Sequence, residues 1–409
     1  MATLAVVNRW FLLEGLPLLR RIPVVRDFPL VHAYFWVRDL DIPDADRARL
    51  ASAVNPGTVA FMGPNHPEFG TDWMVDKEIS TLVAPRMASW ADKGIVNGAP
   101  KFWGMNNLVA NDGGDAAKDY SVEWALKGEG VLLHPEGSVR WTNDHVHALF
   151  PGIAQMAMTA AAQTDKPVYI VPLVWKYRFV RDVSARMHRE MRILEDGLAL
   201  PRGDSSSLSQ RFHALQVNLL AKQMLRFGYA DVDAGSDFFA RQSAFQSHLV
   251  EVLGEHYPTE DAESLDRQIV RLVRAIRAGK SPMMKEHLAM AEEAKRLGEF
   301  TRDVYGSTTL SQEQLFESLK RTRDRLLRRG WKNMLAIMMP RPFGPRVVHV
   351  GVPEPIRVSA VGAADAEDYE TSLLERTRAR MQEKLDEINA RIASDVARFA
   401  HPNPFAGAR

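Results

Sequence analysis

Thr58-Val59-Ala60-Phe61-Met62-Gly63-Pro64-Asn65-His66-Pro67-Glu68-Phe69-Gly70-Thr71-Asp72-Trp73-Met74-Val75-Asp76 is the stretch whose reading decides the fold. Its β-branched and aromatic first part, bounded by Gly57 and by Gly63-Pro64, reads as a buried strand, and the pattern from Asp72 onward reads as a helix with Thr71 as its N-cap. A histidine and an aspartate thus fall on a strand-to-helix turn, at the end of a strand where α/β sheets carry their ligands and catalytic groups. Gly70 leaves the backbone free to fold Asp72 back onto the His66 ring, with Asp76 as the alternative partner if the register differs. A carboxylate on one imidazole nitrogen fixes the tautomer and leaves the other nitrogen as a base. A surface histidine in a proline-rich turn is the plain alternative.

A second strand-and-turn follows in Val131-Leu132-Leu133-His134-Pro135-Glu136-Gly137-Ser138-Val139-Arg140. Around these two stretches the pattern alternates between strand and helix. Trp36 to Ile42 reads as a strand, Asp44 to Val54 as a helix, Asp72 to about Trp90 as a helix, Leu108 to Ala110 as a strand and Asp119 to Leu126 as a helix. Such alternation implies an α/β fold, a mixed sheet flanked by helices.

The two stretches together resemble the glycerol-phosphate and lysophospholipid acyltransferase family, 1-acylglycerol-3-phosphate acyltransferase-like. Its first block is Asn-His, four residues, then Asp, and its third is Phe-Pro-Glu-Gly-Thr-Arg. Lys166-Pro167-Val168-Tyr169-Ile170-Val171-Pro172-Leu173 is similar to the fourth block, and Phe150 to Ala157 to the helix between blocks three and four. The chain departs from the pattern in three places. Five residues separate His66 from Asp72, Arg140 comes one position late, and Asp112 stands where the second block carries an arginine.

The resemblance implies transfer of a fatty acyl group from an acyl thioester, coenzyme A or acyl carrier protein, to a hydroxyl of a glycerolipid or lysophospholipid acceptor. His66 would be the general base and Asp72 the group that orients it. Asn65, Glu136, Gly137, Ser138 and Arg140 would form the acceptor site, with Arg140 as the cation for a phosphate. No metal or organic cofactor is implied. The chain offers no covalent nucleophile, so transfer is expected to be direct. The rival reading is a non-catalytic lipid-binding protein that has kept the fold and lost the geometry.

Composition bounds these readings. The chain has 409 residues, 46% hydrophobic and 25% charged, enough for a large core. A net charge of +1 implies no general polyanion partner and gives no reason to expect nucleic acid. The absence of cysteine removes disulfides, thiolate metal sites and cysteine nucleophiles. No apolar run reaches the length of a membrane span and no signal-peptide cleavage site is evident, so a cytoplasmic protein is expected, with scope for peripheral contact with the cytoplasmic membrane face.

Four regions are expected. Residues 1–35 mix large apolar side chains with Arg9, Arg20, Arg21 and Arg26, which suits either an interfacial segment or a helix packed on the core. Residues 36–178 form the acyltransferase-like α/β core, and 179–345 a helical insertion. Residues 346–409 hold a returning strand at Arg346 to Ile356 and a C-terminal amphipathic helix from Tyr369 to about Phe399. Within the insertion, Lys320 to Arg329 precedes Met334-Leu335-Ala336-Ile337-Met338-Met339. Its arginines, Arg321, Arg325 and Arg328 among them, read either as a solvated face or as a surface for anionic lipid. His145 and His147, with His134 nearby, lack a carboxylate at ligand spacing and read as loop histidines. Ala278-Gly279-Lys280-Ser281 lacks the first glycine of a phosphate-binding loop, and there is no Gly-x-Ser-x-Gly elbow.

Overall fold

In the computed structural model, residues 36–68, 71–98, 100–105, 107–111, 114–203, 207–230, 237–258, 265–279, 282–327 and 342–406 are described. The N-terminal segment, Gly70, Asp112, Arg328 and Met334 to Met339 lie outside them. The chain divides into two units, described separately. The first comprises residues 36–140, 144–180 and 342–392, and the second 141–143, 181–327 and 393–406.

The first unit is built on an α/β sheet. Its strands are β1 (Val37–Asp41), β2 (Val59–Pro64), β3 (Met87–Asp92), β4 (Leu108–Asn111), β5 (Gly130–Leu132), β6 (Val168–Phe179), β8 (Arg346–Gly351) and β9 (Ile356–Val358). They lie in the order β1-β8-β6-β2-β5-β3-β4, with β9 also on β6. The β1–β8, β6–β2, β2–β5, β5–β3 and β3–β4 pairs are parallel, and β6 runs antiparallel to both β8 and β9. β2 is wholly buried between β5 and β6. An interior strand of a parallel sheet is covered on both faces, which is why Val59 to Met62 reads as a continuous apolar run.

Helices α1 (Asp44–Ala53), α2 (Thr71–Ser80), α5 (Asp115–Leu126) and α6 (Gly152–Ala161) flank the strands. Gly63 has a specific role at the end of β2. A Cβ there would come within 2.8 Å of Ile153 Cδ1, so glycine lets the Ile153 side chain of α6 pack close against the strand that delivers His66.

Two expectations change. The helix expected to reach about Trp90 stops at Ser80, and Met87–Asp92 is β3. Pro85 supplies the reason, since it has no N–H to continue a helix and biases the preceding residue toward extended backbone. The glycine-rich passage after it forms two short helices, α3 (Lys93–Gly98) and α4 (Pro100–Met105). Farther on, α14 (Ala366–Ala397) buries Leu373, Leu374, Met381, Leu385, Ile388 and Ile392, whereas Phe399 lies beyond its end and is half-buried. Lys384 of α14 pairs with Asp46 of α1 at 3.4 Å.

The second unit is helical: α7 (Ser184–Gly197), α8 (Leu208–Arg226), α9 (Phe238–His256), α10 (Leu265–Ala278), α11 (Met284–Gly298), α12 (Arg302–Tyr305) and α13 (Gln312–Leu326). A two-residue strand, β7 (Thr309–Leu310), pairs antiparallel with β10 (His401–Pro402). Aromatic rings fill its core. Phe300 stacks on Tyr305 at 4.2 Å and lies 5.5 Å from Phe405. On α10 the buried stripe is Ile269, Leu272 and Ile276, and Leu265 is exposed.

The lipid-facing or solvated reading of Arg321 and Arg325 does not hold. Arg321 is buried and donates to the Trp141 carbonyl at 3.2 Å and to the Tyr305 hydroxyl at 2.9 Å. Arg325 is nearly buried, with Glu299 at 2.9 Å and Glu292 at 3.4 Å. Charged groups removed from water need partners, and these arginines have taken them inside the helical unit. Among the described residues, no helix is long and apolar enough to cross a membrane.

Candidate functional site

The site grows from the carboxyl end of β2. Asn65 donates its backbone N–H to the Leu173 carbonyl at 3.2 Å, while its side chain brackets the Trp175 backbone, Nδ2 donating at 3.0 Å and Oδ1 accepting at 2.8 Å. The grip of β2 on β6 therefore extends beyond Pro64 and fixes where His66 emerges. Because side chains on a strand repeat every two residues, Trp175 and Tyr177 of β6 share one face. Both direct their polar tips at Asp72 Oδ1, the indole N–H at 3.0 Å and the phenol O–H at 2.5 Å.

The other Asp72 oxygen, Oδ2, accepts the Glu68 N–H at 2.8 Å and lies 2.8 Å from His66 Nδ1. The Glu68 contact takes up the longer turn, so the five intervening residues still allow the pair to form. Asp72 is the partner of His66, and Asp76 is not. Four donors on two oxygens satisfy the ionised carboxylate, although burial works against it and pushes the Asp72 carboxyl up to about 6. With Nδ1–H donated to Asp72, the lone pair of His66 lies on Nε2. Among the described residues nothing bonds to that nitrogen, and the ring is 19% exposed. Burial, followed by the charge of His134, holds the His66 imidazole well below its ordinary value.

The second strand-and-turn closes over the same point. Leu133 N–H reaches the Met62 carbonyl at 3.1 Å, and the turn after it is tied by Gly137 N–H on the His134 carbonyl at 3.0 Å. Gly137 has φ +70, and a Cβ there would meet the Phe150 ring at 2.7 Å, so the position needs glycine twice over. Glu136 is buried and accepts two backbone N–H groups, His66 at 2.7 Å and His147 at 2.7 Å. Arg140 donates its backbone N–H to the His66 carbonyl at 3.0 Å and its guanidinium to the Glu136 carbonyl at 3.3 Å. Its Nε is buried without a partner among the described residues. Ser138 is half-buried beside the exposed Gly137.

The residues read from the sequence as a site therefore lie on two adjoining turns and, for Asp72, in the first turn of α2. The polar atoms of Asn65 and Glu136 are engaged inside the protein, so these two shape the turns. The Asp112 position lies outside the described residues. Sequence reasoning missed Trp175, Tyr177, Glu68 and Arg346, and it weighed Asp76 only as an alternative partner of His66 and His134 only among the loop histidines. Arg346 of β8 reaches Glu68 at 2.5 Å and Thr71 Oγ1 at 3.2 Å, and its guanidinium covers the Tyr177 ring at 4.5 Å. Burial raises the Glu68 carboxyl while Arg346 opposes the rise.

His134 is no loop bystander. Its Nδ1 lies 2.9 Å from the Asn65 carbonyl, its Nε2 3.0 Å from Asp76 Oδ2, and its ring stacks on His66 at 4.0 Å. Burial alone would lower its pKa, but the Asp76 charge and hydrogen bond, the Asp72 charge and the Asn65 carbonyl outweigh it and raise the value to about 9. Among the described residues no group of three or more histidine, aspartate or glutamate side chains is placed to hold a metal ion. Compared with models of known protein families and with curated protein sequences, the chain matches none.

Proposed function

We propose that this protein is an acyltransferase that moves a fatty acyl group from an acyl thioester, of coenzyme A or acyl carrier protein, to a hydroxyl of a glycerolipid or lysophospholipid-type acceptor. The observation that carries the reading is the 2.8 Å contact between His66 Nδ1 and Asp72 Oδ2 at the end of a central parallel strand, with Nε2 left open. In this reading the acceptor hydroxyl attacks the thioester carbonyl as His66 Nε2 takes its proton, a contribution of roughly 10²–10⁴-fold for a well-placed base. The tetrahedral intermediate then collapses, the C–S bond breaks, and the proton held by His66 goes to the leaving thiolate. Asp72 balances the imidazolium that forms between these steps.

Arg140, with a buried and unpartnered Nε beside the His66 backbone, is the group suited to an acceptor phosphate. Asn65 and Glu136 act indirectly, by fixing the turns that carry His66 and Arg140. Incubation of the purified protein with radiolabelled acyl thioesters and a panel of lysolipids tests the assignment. Label in an esterified lipid product supports it. Lysolipid binding without any labelled product would favour the non-catalytic lipid-binding reading instead.

A further inference from the structure

We propose that His134 and Asp76 form a second histidine–carboxylate pair, an imidazolium stacked on the face of His66 that holds His66 in its unprotonated, base-competent form. The proposal deepens the acyltransferase reading and rests on His66 being the base. It starts from hydrogen-bond inventory. His134 Nδ1 faces the Asn65 carbonyl, which can only accept, and Nε2 faces the Asp76 carboxylate, which accepts when ionised. Both ring nitrogens then carry hydrogen, and the ring carries a positive charge.

That ring lies against His66 with centroids 4.0 Å apart and planes 18° from parallel. Two protonated imidazoles face to face at this distance repel, so the proton fixed on His134 opposes a second one on His66. The Trp175 indole meets His134 edge-on at 5.7 Å and closes the stack from β6.

The charged groups around His66 come from three directions. From α2 and the turn before it come Asp72 and Asp76, and from the turn after β5 come His134, Glu136 and Arg140. Behind them lie Tyr177 of β6 and the backbone N–H of Glu68, which donate to Asp72, and the Arg346 guanidinium, which pairs with the Glu68 carboxylate. The carboxylates favour a proton on His66, whereas His134 and Arg140 disfavour it. His134 also lowers the Asp72 carboxyl, so one cation keeps both members of the His66–Asp72 pair in their working forms. His134 is thus a positioning residue that acts through His66. The third block of the family that the sequence resembles has phenylalanine at this position, which supplies a natural uncharged comparison.

The test uses the full-length protein and two variants, His134→Phe and Asp76→Asn. Asp76→Asn keeps both rings in place and removes the charge that holds the His134 proton, so it remains informative if His134→Phe fails to fold. Nitrogen-15 NMR of histidine-labelled protein follows the His66 ring against pH, and kcat/KM for acyl transfer is followed over the same range. The expected result is a His66 titration, and an acid limb of kcat/KM, that move up by about one pH unit or more in Asp76→Asn, about tenfold in activity below the limb. The ratio of activity at pH 8.5 to that at pH 6 rises accordingly. A His66 titration in Asp76→Asn that coincides with the wild-type curve would overturn the proposal. A shifted titration in a protein without transfer activity would support the pairing while removing the acyltransferase reading.

Discussion

Asp72 is held ionised by four donors at a place where burial favours its neutral form, and the consequences are readable one residue at a time. Transfer should decline as pH falls through about 6, where Asp72 takes up a proton and no longer balances the His66 imidazolium. A pH profile of kcat checks this. Tyr177→Phe removes one donor to a charged acceptor, an interaction of about 1.5–3 kcal/mol. It is expected to lower kcat roughly tenfold with little change in KM and to raise the acid limb.

Stability should respond to pH in the same sense at the two pairs, in different pH windows. Asp72, raised in the folded state, contributes most below its ordinary value of 3.8, and that contribution is lost as pH rises through about 6. His134, also raised, contributes fully below its ordinary value of 6.5 and loses that contribution as pH rises through about 9. The melting temperature should therefore fall between pH 7.5 and 9.5, and fall less in Asp76→Asn.

At the scale of elements, the turn after β5 and the strand β8, paired between β1 and β6, hold the site together. Gly137→Ala forces a side chain onto a φ of +70 and into the Phe150 ring, with a backbone cost of roughly 1–2 kcal/mol before any clash. Because the same turn seats Arg140 on the His66 backbone, activity should fall with stability. Denaturant unfolding beside an activity assay checks both. Arg346→Met leaves the buried Glu68 without its cation and should cost about 3–5 kcal/mol.

How much of this was legible follows from distance along the chain. His66 and Asp72 are six residues apart, so a local pattern could propose them. Trp175 and Tyr177 reach Asp72 across 103 and 105 residues, and Arg346 reaches Glu68 across 278, through strand pairing that no local pattern contains. A period-two reading of Leu173, Trp175 and Tyr177 could have shown one polar-tipped face beside the His66 strand. The pairing of His134 was missed because its carboxylate lies 58 residues upstream. β2 was legible because it is buried on both faces, whereas β3 was hidden because the helical pattern of the sequence carries on past Ser80, where the helix stops.

At the scale of the whole molecule, the chain carries an α/β unit with the candidate site and a helical unit that buries several charged residues. Glu195–Arg211 at 2.5 Å and Glu293–Arg296 at 2.6 Å are buried pairs in that unit, as Arg321 is with Tyr305 and Trp141. Arg321→Glu should therefore destabilise the helical unit by several kcal/mol, through an uncompensated buried charge, and should not act by weakening vesicle binding. Circular dichroism melting separates the two outcomes.

Single-turnover acyl transfer by the wild type and by His66→Ala tests whether His66 is the base, with folding of the variant checked by circular dichroism melting. The expected result is an esterified lipid product from the wild type and a loss of at least roughly 10²-fold in a His66→Ala variant that still folds, with a melting temperature lowered by the lost donor to Asp72. Equal single-turnover rates in the two proteins would contradict it.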